Sequence, residues 1–160
     1  MWMKIFGAIL VILLACTGEE RADMEPEEMN LHNDTLAQVL SVDISGSGMN
    51  YTFNVEVKSP DRGCDQYADW WEIISLDTVL LYRRILTHSH VDEQPFKRSG
   101  GPVSISQSEQ VIIRAHMNNL GYGESALKGS VITGFEQIRI PANVGLKLLD
   151  IDPLPGDCAF

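Results

Sequence analysis

Leu40-Ser41-Val42-Asp43-Ile44-Ser45-Gly46-Ser47-Gly48-Met49-Asn50-Tyr51-Thr52-Phe53-Asn54-Val55-Glu56-Val57-Lys58 is the stretch whose reading decides the fold class. Tyr51, Phe53, Val55 and Val57 alternate with Thr52, Asn54, Glu56 and Lys58. A period of two places all four apolar side chains on one face of an extended chain, the pattern of a half-buried strand. Leu40, Val42 and Ile44 alternate in the same way, so they are expected on one core face. Gly46-Ser47-Gly48 supplies turn residues between the two runs, so the pair reads as an antiparallel hairpin.

Moving outward, the same pattern recurs. Ser59-Pro60-Asp61-Arg62-Gly63-Cys64 is a loop, Trp70–Ile74 a third strand, and Val79–Thr87 a long fourth strand after Leu76-Asp77-Thr78. His88–Pro102 reads as a polar loop in which the glycines of Ser99-Gly100-Gly101-Pro102 adopt positive φ. Val103–Ser106 is a short fifth strand. In the sixth, Val111, Ile113, Ala115 and Met117 form a core face, and Ile112, Arg114 and His116 the other. Gly129–Thr133 is a seventh. About seven short strands with turn signals between them imply an all-β, antiparallel β-sandwich. With Trp70 or Trp71 in its third strand, the domain resembles immunoglobulin-like and fibronectin type III-like sandwiches, an architectural likeness that brings no function. The string from Glu72 through Leu80–Leu86, His88-Ser89-His90 and Glu93–Phe96 to Arg98–Pro102 is also similar to uncharacterised bacterial proteins, and no activity comes with it. Phe135–Phe160 falls outside a seven-strand count and is expected to be an edge strand plus a tail along the sandwich.

The start of the chain reads differently. Lys4 precedes an apolar run from Ile5 to Ala15. That run is too short for a membrane span, which needs about 20 apolar residues, and has the layout of a secretory signal. Leu13-Leu14-Ala15-Cys16 resembles the lipobox of bacterial lipoproteins. The resemblance implies removal of residues 1–15 and acylation of Cys16, whose thiol is the attachment point. Two or more acyl chains anchor stably where one does not, so a membrane is an expected partner. Thr17, where an Asp would favour the inner membrane, resembles the outer-membrane sort, and Glu19-Glu20 resembles an acidic surface-export tag. The expected location is therefore the cell envelope, at the outer membrane, on its periplasmic face or at the cell surface. Residues 16–34 carry seven acidic residues against Arg21, too polar to offset the entropy of ordering, and are expected to form a flexible linker to a domain at 35–160.

The chain has a net charge of −10. Removal of Lys4 with the signal leaves a still more acidic protein, which argues against nucleic acid, where a basic patch supplies most of the affinity. With Cys16 assigned to lipid, Cys64 and Cys158 are expected to be bridged in an oxidising compartment, pinning the C-terminal tail to the body.

Chemistry has few candidates. His88 and His90 are two residues apart at a strand end, where i and i+2 share a face, and Asp92 keeps that parity. With His116 they form a candidate Cu or Zn set; no other cofactor is implied. Arg83 or Arg84 is placed to pair with Glu72 or to lie over Trp70. An exposed Trp70 beside Arg83 and Arg84 would form a surface for an anionic ligand or carbohydrate. No nucleophile–base constellation stands out, so no catalytic residue is assigned. The sequence reads as a non-catalytic binding or accessory domain whose partner is an envelope protein or a small ligand. A metal-binding protein is the first alternative and an enzyme the second.

Overall fold

A computed structural model describes residues 35–159. Residues 1–15, Cys16 and the linker to 34 lie outside the described residues, as does Phe160. The described chain is nearly all β. The strands are β1 (Gln38–Ser47), β2 (Asn50–Lys58), β3 (Ala68–Ser75), β4 (Leu80–Ile85), β5 (Phe96–Val103), β6 (Val111–Met117), β7 (Gly121–Tyr122), β8 (Ser125–Ser130) and β9 (Gly134–Arg139). A single 3-10 turn, Leu146–Asp150, follows. One antiparallel sheet has the order β1-β2-β5, and the other β4-β3-β6-β8-β9 with β7 beside β6. The first seven principal strands therefore run in the A-B-E and C′-C-F-G order of immunoglobulin-type sandwiches, with β9 added at the far edge.

The opening hairpin forms where its alternation says it should, but its turn is two residues later. Ser47 pairs with Asn50, so Gly48-Met49 is a two-residue connection. Both residues have positive φ, 61° and 66°, as a type I′ turn requires. A bulge between Val39 and Ser41 breaks the register. Val39 is consequently fully buried and Leu40 is turned out, while Val42 and Ile44 only partly pack on the core. This corrects the expectation that Leu40, Val42 and Ile44 share one core face: an extra residue in one strand shifts the parity on its two sides.

The core lies between the sheets. Val39, Phe53, Val55, Val57, Phe96 and Val103 from the small sheet meet Trp71, Ile73, Val111, Ile113, Ala115 and Met117 from the large one. A second, smaller cluster of Ile74, Ile112, Ala126 and Leu148 sits on the opposite face of the large sheet. Residues 141–158 cover that face. The Cys64–Cys158 disulfide ties their end to the β2–β3 connection, and the Ala159 amide donates to the Thr87 carbonyl at 2.7 Å. The expected tail and bridge are thus both present. With both faces covered, every residue of β6 and all of β3 except Ser75 is buried.

Ser99–Pro102 belongs to β5 and is not a turn. Gly100 has no positive φ; a Cβ there would lie 2.6 Å from Tyr82 Cε1 and 2.8 Å from Trp71 Cη2. Its glycine makes room for a core tryptophan. His88 and His90 lie beyond the end of β4, in the loop between Ile85 and Phe96, so the strand-parity argument for them does not apply.

Candidate functional site

On the covered face of the large sheet, neighbouring strands bring together the side chains that carry charge. Glu72 on β3 stands between Arg83 on β4 and Arg114 on β6, its register partners on either side. Arg83 donates Nε–H and Nη2–H to Glu72 Oε2 at 2.8 and 2.6 Å. Arg114 does the same to Oε1 at 2.8 and 2.7 Å. All three side chains are fully inaccessible. Two guanidiniums face one carboxylate, and the tail supplies the remaining acceptors. Leu148, Ile151 and Pro153 carbonyls accept from Arg83, and the Val144 carbonyl accepts from Arg114. Arg83 also lies 4.5 Å over the Trp70 ring, and Arg114 3.5 Å over Tyr122. Trp70 stacks on His116 at 3.7 Å, and His116 Nδ1 is 2.7 Å from Asp69 Oδ1. Burial and the nearby Glu72 carboxylate push the Tyr122 hydroxyl up to about 12, so it stays protonated. The network is closed to solvent and rich in mutual partners; it holds the tail on the sheet.

The second cluster surrounds the loop after β4. The buried Asp61 carboxylate accepts from Ser59 Oγ, the Ala68 amide and the His90 amide at 2.6, 3.0 and 2.8 Å. Gln94 accepts from the Ser59 amide and donates to the His90 carbonyl. These bonds fix His90, whose ring stacks on Phe96 at 3.8 Å with an 8° tilt. The His88 ring lies 4.5 Å from that of His90. Only 3% of His90 is exposed, and neither of its ring nitrogens has a hydrogen-bond partner. Burial, helped by Arg98 and His88, pushes its pKa down to about 4, so the ring is neutral at pH 7. A cavity of about 50 Å³ opens here, lined by Arg84, Ile85, Leu86, Thr87, His88, His90 and Arg98.

The sequence candidates are therefore divided between two places. His88 and His90 are adjacent; His116 is held on the covered sheet face by Trp70 and Asp69, and Asp92 is exposed. Among the described residues no group of three or more His, Cys, Asp or Glu side chains is placed to hold a metal ion. Trp70 and Arg83 do meet, but both are buried; Arg84 is exposed on the other side of the strand. Of the alternatives for Arg83, it both pairs with Glu72 and covers Trp70. Sequence reasoning missed Arg114 as the second partner, and Asp61 and Arg98 as the groups that surround His90. The Arg114 role was available from the alternation that put it beside His116 on one face; the Asp61 role was not, because it depends on loop packing.

Fold and clusters together define a class of protein: an antiparallel β-sandwich closed by one disulfide, with a buried ionic network under a C-terminal strap. No family model and no solved structure matches the chain. A curated protein of Halomicrobium mukohataei, named "Putative lipoprotein", is 36% identical to it over 109 residues, which cover 67% of this chain and 52% of that protein. The chain thus spans about half the length of the relative it matches. Among the described residues, no helix is long and apolar enough to cross a membrane.

Proposed function

We propose that this chain is a lipid-anchored envelope protein, tethered through Cys16, whose sandwich domain binds a partner and catalyses no reaction. The similarity to a protein named as a lipoprotein carries the reading. Two features of the chain support it. Leu13-Leu14-Ala15-Cys16 has the lipobox pattern, and the disulfide engages Cys64 and Cys158, leaving Cys16 alone of the three cysteines for a lipid. The bridge also suits export, since such bonds persist in oxidising compartments. Thr17 favours the outer membrane, and Glu19-Glu20 favours display at the surface.

The test is metabolic labelling with an alkynyl fatty acid. The full chain takes the label and partitions into the detergent phase, whereas Cys16→Ser loses the label and stays aqueous. Unchanged labelling in Cys16→Ser would overturn the reading. Gradient separation of the membranes and protease treatment of intact cells check the sorting.

Metal binding is the second reading, supported by the adjacency of the His88 and His90 rings. Their separation of 4.5 Å suits two imidazoles on one ion, given metal–nitrogen bonds of about 2.0–2.1 Å. Calorimetric titration of the purified protein with Cu(II) and Zn(II) tests it, and lack of micromolar binding removes it.

A further inference from the structure

We propose that the cavity after β4 is a receptor for a small oxyanion, the carboxylate, sulfate or phosphate group of a ligand, held by Arg84, Arg98 and His88 with His90 at its wall. This deepens the binding reading above, and rests on it only for the claim that binding is the domain's work.

The charge around the cavity favours an anion. The chain as a whole is strongly acidic, at −10, yet the cavity is lined by two guanidiniums and two imidazoles and by no carboxylate. Arg83 has its N–H groups engaged by Glu72 and three carbonyls. Its neighbour Arg84 has no side-chain hydrogen bond or ion pair among the described residues. A guanidinium fork is matched to the two oxygens of a carboxylate or phosphate. Arg98 is paired with Glu93, a largely exposed carboxylate that competes in solvent.

His90 points the same way, independently of charge. Both ring nitrogens are buried and unpartnered, and leaving a buried polar group unpaired costs about 1–3 kcal/mol. Asp61 does not relieve this: its Oδ2 is 3.9 Å from Nδ1 and is already engaged by the His90 amide. A neutral imidazole keeps one N–H to donate. An oxyanion in the cavity accepts it. A cation there would instead face two permanently charged guanidiniums.

The size of the cavity limits the ligand. A water molecule needs roughly 10–15 Å³ of such space, so about 50 Å³ admits one small anionic head group and no sugar ring. Any larger ligand must extend outward past His88, which is exposed at the rim.

The experiment uses the full-length chain in detergent, labelled in its histidine rings. Phosphate, methyl phosphate, sulfate and acetate are titrated to about 10 mM, a range that reads the weak affinity of a lone head group, against chloride at equal ionic strength. The expected result is a saturable shift of the His90 ring signals. Arg84→Gln, an exposed change that leaves the core intact, weakens binding by about tenfold or more, equivalent to about 1.4 kcal/mol. Lys97→Gln, whose lysine pairs with Asp43 away from the cavity, leaves it unchanged. Preference for inorganic phosphate points to a free anion; equal or better binding of methyl phosphate or acetate points to the end of a larger ligand. The proposal is overturned if no anion moves the His90 signals, if Arg84→Gln binds as tightly as the parent, or if Cu(II) or Zn(II) binds at micromolar levels and the anions do not. Failure of the lipid reading shows only in Cys16 labelling and leaves these results standing.

Discussion

Glu72 is one carboxylate asked to serve two guanidiniums at a site sealed from water. Removing one partner of a buried ion pair costs more than the pair contributes, because the survivor stays buried and uncompensated. Glu72→Gln is therefore expected to lose about 3–5 kcal/mol, read as a lowered urea midpoint with an unchanged slope. Replacing Glu72, Arg83 and Arg114 together by apolar residues is often harmless for such triads, but not here. The Val144, Leu148, Ile151 and Pro153 carbonyls would lose their donors. His90 gives a second residue-scale expectation. Its folded pKa of about 4 lies below the ordinary 6.5, so between those values the unfolded chain binds more protons than the folded one. Stability is then full above pH 6.5 and falls as pH drops toward 4, by up to about 3 kcal/mol. The groups facing the ring are Arg98, His88, Asp61 and Glu93. His90→Phe, which keeps an aromatic ring against Phe96, should flatten that part of the stability–pH curve; an unchanged slope would refute the assignment.

Single elements explain which parts of this fold are legible in the text of the chain. β2 is readable because one face meets the core and the other meets solvent, so burial alternates along its length. β3 and β6 are buried on both faces, yet β6 still reads correctly because its second face, Ile112, Arg114 and His116, mixes polar with apolar groups. What it faces is not readable: the covering tail is distant in sequence. β5 fails for a different reason. Its Gly100-Gly101-Pro102 carries turn chemistry, while Gly100 is small because Trp71 and Tyr82 press against that backbone. Gly100→Ala is accordingly expected to cost about 1–3 kcal/mol through overpacking, measurable by thermal melting. Gly48→Ala, at a turn position with nothing within 4 Å, tests backbone conformation alone; it should cost about 1–2 kcal/mol because φ is 61°. The His88–His90 adjacency was legible by accident: the strand argument that suggested it does not hold, and loop packing on Asp61 and Phe96 produces it instead.

At the scale of the whole molecule, the sandwich and its strap are joined in two ways that fail differently. The ionic network fixes residues 144–153 from below, and the Cys64–Cys158 bridge fixes the end of the strap at a sequence separation of 94. On the chain-entropy account a loop of that size stabilises by roughly 4–5 kcal/mol, acting mainly on the unfolded state. Removing the bridge should therefore lower global stability while the folded strap stays docked, since Arg83 and Arg114 still hold its carbonyls. Removing the ionic hub should do the reverse locally, loosening the strap while the bridge keeps its end in place. Cys64→Ser/Cys158→Ser and Glu72→Gln are then distinguished by amide exchange rather than by melting temperature. The cysteine pair should raise exchange across the whole domain toward the lowered global value, with residues 144–151 no faster than β6. Glu72→Gln should raise it first in residues 144–151 and in Tyr122, which packs beneath Arg114. If reduction alone frees the strap, the disulfide is what keeps the second face covered, and the exposed Trp70 and His116 stack would follow, seen as increased acrylamide quenching of tryptophan emission.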